Sequence, residues 1–151
     1  MSEVTGGFAE AVRASSRVLA VEGEILPGTL ANVTLSAQME DDTIVRGESS
    51  ITRAGGHISC LSLDPPDVLA LPRAVQAILE ADLVVLGPGS LYTSVLPNIL
   101  VAGIGDALRS TKALKIYVCN VATQSGETTG YSASDHLRAL VNHAGEDIVD
   151  S

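Results

Sequence analysis

ADLVVLGPGSLYTS, residues Ala81–Ser94, is the stretch from which the fold can be read. Leu83-Val84-Val85-Leu86 is a short apolar run of the kind that forms a strand buried on both faces, and it breaks at once into Gly87-Pro88-Gly89. Such a break predicts a binding loop at the strand's carboxyl end. Gly87 and Gly89 let the backbone turn sharply and approach a ligand, so that successive N–H groups converge on an anion. Ser90, Thr93 and Ser94 stand beside them as hydroxyl donors, and phosphate is the expected guest. The pattern differs from a dinucleotide fingerprint, because Tyr92 occupies the place of the third glycine. No Gly-Lys-Ser/Thr follows, which argues against a P-loop nucleotidase. A plain strand-to-helix turn is the alternative reading of the same residues.

Outward from this loop the chain alternates. Pro72–Glu80 has helical periodicity through Val75, Ile78 and Leu79, with Pro72 suited to a first turn. Leu96, Ile99, Leu100, Ile104 and Leu108 fall on one face of a single helix, with Gly103 and Ala107 small enough to let it approach a sheet. Lys115–Cys119 reads as a second buried strand, and Ser132 with Asp135 forms a capping signal for a last helix whose stripe is Leu137, Leu140, Val141 and Ala144. Strands joined by helices at this spacing imply right-handed crossovers and a parallel sheet of the α/β class. Ligands bind such sheets at the carboxyl ends of the strands, where Gly87–Ser94 and Asn120–Tyr131 both emerge.

The first half has a different style. A short helix over Phe8–Ser16 is followed by a period of two from Leu19 to Ile25, closed by Pro27-Gly28. Val33–Met39 is the clearest half-buried strand; Glu40-Asp41-Asp42 turns it into Thr43–Gly47, and His57–Leu63 follows the Ala54-Gly55-Gly56 break. Leu19–Leu63 is therefore expected to be a small antiparallel unit. Asp64-Pro65-Pro66-Asp67 is the internal seam. The expectation is a single α/β domain over 1–151, with a helix and antiparallel β unit in 1–64 and a β/α ligand-binding half in 68–151.

Composition narrows the function. A chain of 151 residues can bury a real core, and 9 basic against 18 acidic side chains give a formal charge of −9 that would repel a nucleic-acid backbone. No apolar run is long enough to span a membrane and no signal pattern opens the chain, so a soluble, cytoplasmic protein is expected. Cys60 and Cys119 lie in apolar contexts and are expected to behave as small buried hydrophobes, without a disulfide or metal. His136 and His143 read as an exposed pair too far apart for a shared metal, and His57 as a lone strand histidine. The acidic run Glu40–Asp42 reads as a solvated turn, and no Ser–His–Asp order or H-E-x-x-H is present. No catalytic residue and no cofactor are expected from these residues. The loop Asn120–Tyr131 is long for a plain connection, and its amide side chains have the chemistry to read a base or a sugar. Asp135 is assigned to the helix cap.

Taken together, GPGSLYTSVLPNILVAGIGDAL, KIYVCNVATQSGET and GYSASDHLRAL resemble the YvcK-type gluconeogenesis factor family, within the superfamily of 2-phospho-L-lactate transferase. RVLAVEGEILPGTLANVTLSAQMEDDTIVRGES is similar to that family's segment ahead of its glycine loop, so the resemblance covers almost the whole chain. Ala102, Ser125 and Thr129 depart from it. The resemblance implies a three-layer, Rossmann-like α/β fold and a regulatory protein of bacterial carbon metabolism, cell-wall synthesis and cell shape that binds a nucleotide sugar such as UDP-N-acetylglucosamine. Carried over by position, Gly87, Gly89, Ser90 and Thr93 would cradle phosphate, and Asn120, Thr123, Gln124, Glu127 and Tyr131 would face the nucleotide or sugar. The transferase branch implies the alternative, a magnesium-dependent phosphoryl-type transferase. Family members also begin with a glycine-rich strand–loop–helix, so the chain is expected to be an internal portion of a longer protein. Pairing of an open sheet edge in a homodimer is a further expectation.

Overall fold

The computed structural model describes residues 23–150. The expected helix over Phe8–Ser16 and the Leu19–Val21 part of the expected first strand lie outside those residues, while Gly23–Leu26 form no strand. The antiparallel sheet has the order β2-β1-β3, with β1 (Thr34–Met39) between β2 (Ile44–Arg46) and β3 (Ile58–Asp64). Ala37 sits opposite Val45 on one side and Leu61 on the other. Leu35, Ala37 and Met39 point into the core, as their alternation with polar residues requires. The acidic turn is held locally: the Thr43 N–H (3.1 Å) and hydroxyl (2.6 Å) both donate to Asp41 Oδ1.

Between β2 and β3 the chain forms α1 (Glu48–Ala54), an element the sequence did not announce. Ile51 is its single buried side chain, so ESSITRA carries no helical stripe for periodicity to detect. Fixing it in place is a matter of tertiary context.

The second half follows the expected alternation: α2 (Pro72–Glu80), β4 (Leu83–Leu86), β5 (Leu114–Tyr117) and α5 (Ala133–Ala144). β4 and β5 pair in parallel from Leu83 opposite Leu114 to Leu86 opposite Tyr117. The expected single helix through Leu108 is broken. A π turn over Leu91–Val95 runs into α3 (Leu96–Ile99), and α4 (Ile104–Ser110) starts afresh after Gly103, whose φ of 99° ends any continuous helix. Ala102 instead bridges to the seam segment, its N–H donating to the Val68 carbonyl and its own carbonyl accepting from Ala70 N–H, both at 3.0 Å.

Three burial expectations are corrected. Leu83 and Val85 are 50% and 49% exposed, so β4 is covered on one face only, and Leu114, Ile116 and Val118 are likewise exposed. Cys60 is exposed and Cys119 half-buried, since each stands on the outward side of its strand or at its end. His136 is 3% exposed and His143 half-buried, because α5 lays that side of its surface, with Ala139, Leu140 and Ala144, against the core. One apolar cluster contains residues of both halves, including Ile51 and Leu61 with Leu91, Leu96, Leu108 and Leu140.

α5 begins on a capping box in which Ser132 Oγ accepts from Asp135 N–H (3.3 Å) and Asp135 Oδ2 accepts from Ser132 N–H (2.9 Å). At the other end of the chain Lys115 is buried; its Nζ donates to the Asp147 carbonyl (3.0 Å) and lies 3.4 Å from Asp150 Oδ1.

Candidate functional site

β4 and β5 end side by side, so the two loops that follow them leave the sheet at the same edge. The ladder's last rung is Val118 N–H to the Leu86 carbonyl at 2.9 Å. Gly87 comes next with φ of 83°, and a Cβ there would stand 2.8 Å from the Val118 carbonyl oxygen. Only glycine turns the chain at this spot without displacing β5's exit.

The loops are joined by a set of side-chain bonds. Asn120 Oδ1 accepts from Gly89 N–H (3.2 Å) while Asn120 Nδ2 donates to the Gly89 carbonyl (3.0 Å), an amide pairing with one residue of backbone. Gln124 Nε2 donates to Ser90 Oγ at 2.7 Å, which orients the Ser90 hydroxyl and leaves its own proton free to donate. Gln124 is fixed in turn, its N–H on Thr128 Oγ1 (2.9 Å) and its carbonyl receiving Thr128 N–H (2.9 Å). Thr93 Oγ1 donates to Glu127 Oε1 at 2.9 Å, and Thr52 Oγ1 of α1 reaches the same oxygen at 3.2 Å. Glu127 is 2% exposed, and among the described residues its Oε2 has no partner. It therefore grips the helix start from inside the protein.

The π turn shapes the anion side. Ser94 N–H and Val95 N–H both bond to the Ser90 carbonyl at 2.9 Å, so the turn is wide. Ser90 and Thr93 are half-buried, and among the described residues the N–H of each has no backbone acceptor, whereas Leu91 and Tyr92 are buried. Unpaired N–H groups at a helix start, beside a free hydroxyl proton, have the chemistry to receive a phosphate or carboxylate. An apolar cavity of about 400 Å³ adjoins the loop, with Ile78, Val84, Leu86, Val95 and Ile99 among its walls.

The structure thus brings Gly87, Gly89, Ser90, Thr93, Asn120, Gln124 and Glu127 together across the two strand ends. Thr123 is exposed on the second loop. Tyr131 is set apart from them: half-buried, its hydroxyl is 2.8 Å from that of Tyr92, and both rings line a separate cavity against α5. Burial first, and then the Tyr131 hydrogen bond, push the Tyr92 phenol well above the usual range. Tyr117 at the end of β5 is pushed up to about 12, chiefly by burial and then by Cys119. Asp135 serves the cap, as expected; the Ser132 hydroxyl and then its N–H hold the carboxyl below its ordinary 3.8. Thr52 escaped sequence reading, because its partner Glu127 lies 75 residues away and no local pattern links them.

The family described as 2-phospho-L-lactate transferase CofD matches residues 1–151. The gluconeogenesis factor of Halalkalibacterium halodurans is 51% identical over 150 residues, 99% of this chain and 47% of that protein. The gluconeogenesis factor of Bacillus subtilis is 47% identical over 151 residues, 100% of this chain and 48% of that protein. A crystal structure of a Bacillus halodurans protein superposes with a TM-score of 0.93 at 51% identity, covering 100% of this chain and 49% of the other. The chain spans about half the length of these relatives.

Proposed function

Because the chain belongs to the 2-phospho-L-lactate transferase CofD family, we propose that it forms the phosphate-binding portion of a regulatory protein of the gluconeogenesis-factor type. The ligand is a nucleotide sugar such as UDP-N-acetylglucosamine, and the role lies in bacterial carbon metabolism, cell-wall synthesis and cell shape. The observation that carries this reading is the tie between the two loops: Asn120 fixes Gly89 and Gln124 fixes Ser90, so the anion concavity is formed before any ligand arrives. A preformed site spends none of its binding energy on ordering a loop. In this arrangement the diphosphate lies on the N–H groups of Ser90 and Thr93, with the Ser90 hydroxyl donating to it. Thr123 and the exposed side of the second loop face the remainder of the ligand.

The transferase alternative uses the same concavity to stabilise charge developing on phosphate. Magnesium is the metal that reading implies. Among the described residues no three His, Cys, Asp or Glu side chains gather to hold a metal ion, so the residues present do not furnish that site by themselves. No helix among them is long and apolar enough to cross a membrane.

Isothermal calorimetry of the chain with UDP-N-acetylglucosamine, in parallel with Gln124→Ala and Ser90→Ala, tests the proposal. Saturable binding heat supports it if affinity falls by about tenfold in Ser90→Ala, the size expected for losing one charge-assisted hydrogen bond, and also falls in Gln124→Ala, which removes the brace on that hydroxyl. Equal affinity in all three proteins, or no heat in any, contradicts it. Magnesium-dependent release of phosphate or transfer product would favour the transferase.

A further inference from the structure

We propose that the cavity between the start of β3 and α5 is a binding site for a small organic ammonium ion, distinct from the glycine loop. It has a volume of about 310 Å³, and its walls include Tyr92, Tyr131, His57, His143, Asn142 and Glu40. The chain has 3 tyrosines and 3 histidines in all. Two of those tyrosines and two of the histidines line this one space, and the third histidine, His136, stands behind Tyr131 with ring centres 5.4 Å apart at 87°. Elsewhere the core is built from Leu, Ile, Val, Ala and Met39, so concentrating the rings here is not how this sequence ordinarily fills volume.

The rings pack on one another around this space. His57 and Tyr131 are nearly parallel, 9° between planes and 6.4 Å between centres. Tyr92 meets Tyr131 edge-on at 74° and His143 at 78°. The two tyrosine hydroxyls are 2.8 Å apart and bond to each other. His143 is tied at both nitrogens to backbone, Nε2 accepting from Leu61 N–H (3.0 Å) and Nδ1 facing the Ala139 carbonyl (2.7 Å). With the polar ends of Tyr92, Tyr131 and His143 so occupied, what is left to meet a guest is ring surface, and an aromatic face attracts a cation.

Charge agrees. Asp135 and Arg138 also line the cavity and pair with each other at 2.9 Å, whereas Glu40 is exposed and pairs with no cation among the described residues, so the carboxylates there outnumber the cation. An adjoining cavity of about 330 Å³ shares Glu40 and His57 and adds Asp41. An anion would meet these carboxylates at close range. An uncharged apolar guest would forgo Glu40 and Asn142, and the apolar-walled cavity beside the glycine loop suits it better. A small alkylammonium satisfies both features at once, its charge toward Glu40 and its carbon-bound hydrogens against the rings.

The test is an amide-shift titration of the full chain with tetramethylammonium chloride, against tert-butanol as the neutral analogue and sodium chloride at matched ionic strength. Saturable shifts at His57–Ser59, Tyr131 and Asn142 for tetramethylammonium alone are expected. Tyr131→Leu should weaken binding by about tenfold and Glu40→Gln by about threefold, with Tyr131→Phe close to the parent. Glu40 is exposed, so Glu40→Gln should melt as the parent does. Equal response to tert-butanol, equal response to sodium chloride, unchanged affinity in Glu40→Gln, or movement of these residues by uridine in place of the cation would each overturn the assignment, as would no saturable shift at all.

Discussion

At the scale of single residues, the candidate site depends on pairings that leave no slack. Asn120 satisfies both the N–H and the carbonyl of Gly89, so Asn120→Ala strands a donor and an acceptor where water reaches them only partly. A loss of about 1–3 kcal/mol of stability is expected, read by urea unfolding, with a parallel loss of ligand affinity. An unchanged midpoint would show that the amide pairing carries no weight. Gly87→Ala combines a φ of 83° with a Cβ 2.8 Å from the Val118 carbonyl oxygen, and should cost about 1–3 kcal/mol or more by the same measurement. These two residues show how far the sequence could be read. The glycine-broken strand end was legible because Gly and Pro report backbone geometry directly. That Asn120 would spend its amide on Gly89 was not, since an amide beside a loop reads equally as a ligand contact or as a brace.

At the scale of elements, the readings succeeded where a local signal fixes the structure. Ser132 and Asp135 predicted the start of α5, and the capping box forms as expected. Asp135's carboxyl titrates below 3.8 in the folded protein because the Ser132 hydroxyl, the Ser132 N–H and then Arg138 favour its charged form. The stabilising contribution is therefore complete above the unfolded value and is lost as pH falls through the lowered folded one. Thermal melts of Asp135→Asn should match the parent at the acid end and fall below it at neutral pH; identical acid limbs and plateaus would refute this. Asp41 and Asp150, also lowered by their own hydrogen bonds, keep part of the acid sensitivity in the variant. Readings failed where an element rests on distant partners. α1 has one buried anchor, Ile51, and its Thr52 matters only through Glu127. The stripe from Leu96 to Leu108 kept helical spacing across a break, because α3 and α4 present their apolar sides to the same core although Gly103 separates them.

At the scale of the whole molecule, the parallel pair β4–β5 is covered on one side by helices and presents Leu83, Val85, Leu114 and Ile116 on the other. Parallel sheets ordinarily bury both faces, which is why LVVL reads as a doubly buried strand. An apolar face of this kind favours association, so sedimentation of the isolated chain should show concentration-dependent self-association that Val85→Lys diminishes. A monomer at all concentrations in both proteins would contradict that. The central claim is that two loops leaving adjacent strand ends form one preformed phosphate site. It is tested most directly by an amide-shift titration of the chain with UDP-N-acetylglucosamine, with GDP as the competitor. The account predicts that Gly87–Ser94 and Asn120–Thr128 shift together along one saturation curve. Shifts in one loop without the other, or in neither, would contradict it.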